Sequence, residues 1–72
     1  MDKKVLEDMG FKHIGKGWLE YQTKHAELTI AAEYRGKEVS KIVMSIDDVS
    51  YEYPLTINTK FDLEQLLKIL GE

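Results

Sequence analysis

The chain has no cysteine, a single proline and a single arginine. Without thiols there is no disulfide framework, thiolate zinc site, iron–sulfur cluster or cysteine nucleophile. Arg35 alone offers the bidentate fork that grips phosphate or a guanine edge, because the other nine cations are lysines. With a net charge of −3 and a pI near 5.3, that scarcity argues against a duplex-DNA binder. No apolar run approaches the roughly 18 residues that would cross a bilayer. In the opening segment Met1–Asp8, acidic residues interrupt the place where a secretory signal carries its apolar stretch. The expectation is a cytoplasmic protein with no membrane association. Low-complexity tracts and fixed-period repeats are missing as well.

What is present is the balance of a folded domain: 72 residues, 43% hydrophobic and 32% charged. That length holds one domain, residues 1–72, at a size where a single core is barely sufficient. Charge is unevenly placed. Residues 1–24 balance to +1 and residues 25–72 to −4.

Hydrophobic spacing defines the elements. Asp2 caps a short helix striped by Val5, Leu6 and Met9, and Gly10 ends it. Phe11–Ile14 and Trp18–Thr23 read as short strands joined through Gly15-Lys16-Gly17. Ala26–Tyr34 has the clearest two-residue period, with Ala26, Leu28, Ile30, Ala32 and Tyr34 on one face and Glu27, Thr29, Ala31 and Glu33 on the other. A hairpin at Arg35–Glu38 leads to a strand over Val39–Ile46, with Ile42, Met44 and Ile46 inward and Val43 outward. After a turn at Asp47-Asp48 comes a last strand, Val49–Ile57, which Pro54 marks as an edge. Phe61–Gly71 is an amphipathic helix with Asp62 as N-cap, Gln65 completing a capping box and Phe61 stapling onto Leu66. The pattern predicts a two-layer α+β domain: a short N-terminal helix, an antiparallel meander of four or five strands, and a C-terminal amphipathic helix. Both helices are expected on one side of the sheet.

Motifs that carry chemistry are scarce. His13 and His25 lie beside turns at no metal-ligand spacing, and neither has an identifiable orienting carboxylate partner. Asp47 and Asp48 are adjacent, so strand geometry points them apart. Gly15-Lys16-Gly17 leads into a strand rather than the helix a phosphate loop requires. Ser40, Ser45 and Ser50 sit in no nucleophile context. The sequence reads as a non-enzyme with no cofactor and no metal.

Two binding surfaces remain. An acidic, helix-free sheet face carrying Glu27, Thr29, Glu33, Val43 and Glu52, or the Pro54 edge strand, would suit another protein or a second copy of the chain. Monomer and homodimer stay equally open. The alternative is a patch of Lys12, Lys16, Trp18 and Lys24 that takes single-stranded RNA by stacking. Against it, a domain this small is expected to place Trp18, its largest hydrophobe, in the core.

Met9-Gly10-Phe11-Lys12, Trp18-Leu19-Glu20-Tyr21, Leu55-Thr56-Ile57 and the segment from Phe61-Asp62-Leu63 to Leu70-Gly71 together cover most of the chain. In these stretches it resembles short uncharacterised proteins carried by bacterial phages and prophages. That resemblance implies a small accessory protein that binds and inhibits or adapts a host protein, and it assigns no functional residue.

Overall fold

The computed structural model describes residues 1–46 and 57–72 in full and the backbone of residues 52–55. Helix α1 (Lys3–Asp8) leads into five strands, β1 (Lys12–His13), β2 (Trp18–Gln22), β3 (Leu28–Arg35), β4 (Glu38–Ile46) and β5 (Glu52–Leu55), and helix α2 (Lys60–Ile69) closes the order. The strands form one antiparallel meander, β1-β2-β3-β4-β5, with Pro54 in an edge strand as its missing N–H requires. The expected Asp47-Asp48 turn, the expected strand residues Val49–Tyr51, and Thr56 lie outside the described residues.

Alternation decides which face each strand buries. Leu19, Ile30, Ala32 and Ile42 join Leu6 of α1, Phe11, and Leu63 and Leu67 of α2 in one buried cluster. Both helices therefore cover the same side of the sheet, and among the described residues the other side carries no helix. The register is interrupted between Glu33 and Tyr34, where Ser40 is the extra residue on β4. This bulge moves Val39 out of step with Lys41, and Val39 packs against the core. The Ser40 hydroxyl occupies the irregularity, donating to the Glu33 carbonyl at 3.1 Å.

Three expected boundaries are corrected. Helix α2 is capped three residues earlier, by Thr59 and not Asp62. The Thr59 hydroxyl accepts from the Asp62 amide at 3.2 Å, and Asp62 Oδ2 accepts from the Thr59 amide at 3.2 Å. This reciprocal box satisfies two otherwise orphaned donors, and it places Phe61 inside the first turn, 66% exposed, so no staple onto Leu66 forms. Thr59→Ala is expected to cost about 1 kcal/mol, measured as a lower urea midpoint at unchanged slope. An unchanged midpoint would mean the helix starts elsewhere.

The second boundary is the start of β3. The strand begins at Leu28, which leaves Glu27 in the preceding turn. The buried Thr23 hydroxyl donates to the Leu28 carbonyl at 2.8 Å and accepts from the His25 amide at 3.1 Å, and the Gln22 amide donates to the Thr23, His25 and Leu28 carbonyls. These bonds satisfy the loop's own backbone, so residues 23–27 bulge out instead of pairing. The third boundary is β1, which starts only at Lys12 because the Phe11 amide donates to the Leu6 carbonyl of α1 at 3.0 Å, while the Phe11 side chain is buried in the core.

The C-terminus of α2 clasps the β2–β3 loop. Gly71, at φ +81°, lets the Glu72 amide reach the Leu67 carbonyl at 2.9 Å and its own amide reach Lys68 at 3.0 Å. Glu72 is thereby aimed back at the sheet, where its carboxylate accepts from the Lys24 amide at 3.1 Å and from the Tyr21 hydroxyl at 3.2 Å. Burial, then the bond and negative charge of Glu72, hold the Tyr21 phenol above its ordinary pKa of 10.0. The fold favours the neutral phenol, so this contribution is intact below pH 10 and is lost as pH rises through the raised value. In an alkaline titration followed by absorbance, one tyrosine should ionise later than in the unfolded chain, and Tyr21→Phe should remove that late component. A late component surviving in Tyr21→Phe would assign it to another residue.

Candidate functional site

Strand register lays out the helix-free face as rows. Trp18, Glu33 and Lys41 are directly opposite one another on β2, β3 and β4. Alongside run Lys12, Glu20, Ala31, Val43 and the backbone position of Pro54, and then Gln22, Thr29, Ser45 and the backbone position of Glu52. The Ile14 amide donates to the Trp18 carbonyl at 3.1 Å, so alternation from Lys12 carries Ile14 onto this face beside Trp18.

Trp18 is not in the core, contrary to the expectation from its size. Leu19 is the inward residue of the pair, 0% exposed, and Trp18 is half-buried outside with Lys41 Nζ 5.5 Å from its ring centroid. Glu20 supplies the reason. It shares a face with Trp18, and seating Trp18 inside would bury an unpaired carboxylate two residues on. Ile14 is 42% exposed, so the two side chains form an accessible apolar anchor at the β1 end of the sheet.

The expected contact residues are distributed unevenly. Thr29 and Glu33 lie on the helix-free face, both partly exposed. Glu27 does not, since it precedes β3, although it is exposed in the adjoining turn. Val43 is on the face but only 2% exposed, and Ala31 beside it is 8% exposed, so Val43 is covered rather than offered to a partner. The face is also not simply acidic. Lys12 stands opposite Glu20 and Lys41 opposite Glu33, so each of these two lysines has a carboxylate at the facing register position. Lys41 was legible as outward-facing from its parity with Val43.

Of the nucleic-acid set, Lys12 and Trp18 share the face, and Lys16 lies in the adjoining Gly15–Gly17 turn. Lys24 is at the opposite end of β2, where its amide binds Glu72. The four do not form one patch. A depression of about 400 Å³ follows the short β1 edge, lined in part by Lys12, Ile14, Glu20 and Gln22.

His13 does have a carboxylate partner, which linear spacing did not show. Its Nε2 bonds Glu7 Oε2 at 2.8 Å, and Nδ1 and the Tyr34 hydroxyl share a hydrogen bond at 3.3 Å. Lys3 Nζ sits 4.7 Å from the Tyr34 ring centroid. Both ring nitrogens are thus engaged, and the group ties α1 to β1 and β3. His25 Nε2 donates to the Leu70 carbonyl at 3.2 Å, adding to the α2 clasp. Among the described residues, no three histidine, aspartate or glutamate side chains converge as metal ligands would. Among them, no helix is long and apolar enough to cross a membrane.

No protein-family model, curated protein or solved structure matches the chain.

Proposed function

We propose that the chain is a small non-enzymatic protein-interaction module that docks a partner protein on the β1 side of its helix-free sheet face. The observation that carries this reading is the position of Trp18. A domain with little apolar material holds its only tryptophan outside the core, fixed by Lys41 and flanked by exposed Ile14. A half-buried tryptophan whose rotamer is already restrained loses little entropy on contact, and such residues dominate binding energy at protein interfaces. Alternating charges around it, Lys12 with Glu20 and Lys41 with Glu33, suit a partner of mixed charge, with Thr29 and Glu33 as polar contacts. We extend the proposal to an accessory or adaptor role, which is what the resemblance to phage-borne proteins implies, and to a cytoplasmic location.

The same tryptophan gives a second reading, a single-stranded nucleic-acid surface using Lys12, Lys16 and Trp18 with Lys41. Cross-strand carboxylates weaken it, because a phosphate backbone would meet little net positive field.

The two readings separate in one experiment. Tagged wild-type protein and Trp18→Ala are used to capture partners from native lysate, with and without nuclease. A stoichiometric protein that survives nuclease and is lost with Trp18→Ala supports the docking face. Material that vanishes with nuclease moves the second reading forward, and a partner retained by Trp18→Ala rules this face out.

A further inference from the structure

The outer surface of α2 carries an apolar stripe that the core does not use. Phe61 is 66% and Ile69 81% exposed, the two most exposed large hydrophobic side chains among the described residues. They stand eight residues apart with exposed Gln65 midway, so they follow one side of the helix over about 12 Å. The buried side of the same helix is defined by Leu63 and Leu67, roughly opposite.

We propose that this stripe is the contact between two copies of the chain, packed as an antiparallel α2–α2 pair about a two-fold axis at Gln65. The pattern is self-complementary about that residue. Reversal places Phe61 of one copy against Ile69 of the other at both ends, and sets the two Gln65 amides, each donor and acceptor, against one another. The flanking charges fit the same arrangement. Glu64 and Lys68 lie on one flank of the stripe, both exposed. In an antiparallel pair, residues of the same flank meet, so Lys68 of each copy falls beside Glu64 of the other. On the opposite flank the half-buried Leu66 meets its own counterpart, extending the apolar strip.

A contact between two helices about 15 Å long is smaller than a standard stable interface, so the dimer is weak, with a dissociation constant on the order of 100 μM. Because α2 covers the core side of the sheet, the pair leaves both helix-free faces exposed and outward. The assembly would present two docking faces to a partner, with the gain in avidity that follows.

Sedimentation equilibrium from about 0.01 to 2 mM tests this. Wild-type protein should shift from monomer to dimer across that range. Ile69→Glu, at a position that contributes nothing to the core, should weaken association at least tenfold while leaving the circular dichroism spectrum and urea midpoint intact. Glu64→Lys and Lys68→Glu should each weaken it several-fold, and the double exchange should restore it. A monomer throughout, a dimer indifferent to Ile69→Glu, or single charge reversals that the double exchange fails to rescue would each overturn the proposal. None of these variants touches Trp18, so the dimer and the docking face fail independently.

Discussion

Replacing Leu19 with alanine is expected to cost about 2–5 kcal/mol, whereas replacing its neighbour Trp18 should cost about 1 kcal/mol. The larger side chain has the smaller effect because burial, not size, sets the cost. Leu19 is 0% exposed among Leu6, Ile30, Ala32, Leu63 and the rest of the core cluster, and its removal leaves a cavity enclosed by both helices and the sheet. Trp18→Ala removes a half-buried ring and its contact with Lys41, at a surface that water can refill. A domain of this length has a total stability on the order of 4–11 kcal/mol. Leu19→Ala therefore removes a large share of that stability and should unfold at a far lower urea concentration than Trp18→Ala, which stays close to the wild type. Urea denaturation followed by circular dichroism decides it. The opposite ranking would mean that β2 is slipped by one residue, which turns every one of its side chains to the other face.

Local patterns in the sequence determine most of this architecture. The two-residue period of Leu28–Tyr34, the glycines at turns and the leucine spacing of α2 suffice for the α+β meander with both helices on one face. Where the expectation from Trp18 failed, the needed signal was present. Glu20 shares its parity, and the cost of burying a lone carboxylate exceeds the gain from burying one indole. The start of α2 was ambiguous for a different reason. Thr59-x-x-Asp62 and Asp62-x-x-Gln65 are both capping patterns, and the choice between them depends on which places Leu63 and Leu67 on the sheet. The lateness of β3 follows from Gln22 and Thr23 collecting the carbonyls of the loop, a competition between side chain and ladder that composition does not rank. Long-range pairs were beyond any linear reading. Tyr21 and Glu72 meet across 51 positions of sequence, and only the packing of α2 brings them together.

On the proposed docking reading, loss of the Trp18 ring should have its largest consequence in binding. Interface tryptophans that act as anchors contribute about 2 kcal/mol or more when truncated, equivalent to a loss of about 30-fold or more in affinity. Trp18→Ala is expected to weaken the partner complex by at least that factor, mainly through faster dissociation. Glu33→Lys acts differently. It puts a second cation beside Lys41, and like charges directly opposite on neighbouring strands repel. The expected loss is a few-fold in affinity, with a changed dependence on salt, because this charge sits at the rim of the anchor. Glu27→Lys, in the turn outside the sheet, should do less than Glu33→Lys. Titration by calorimetry at two ionic strengths separates these effects. If Glu27→Lys and Glu33→Lys were equal and both exceeded Trp18→Ala, recognition would rest on the acidic rim rather than on the aromatic anchor. If a single-stranded oligonucleotide quenched Trp18 emission at low salt while Trp18→Ala retained its protein partner, stacking would be the activity of this face.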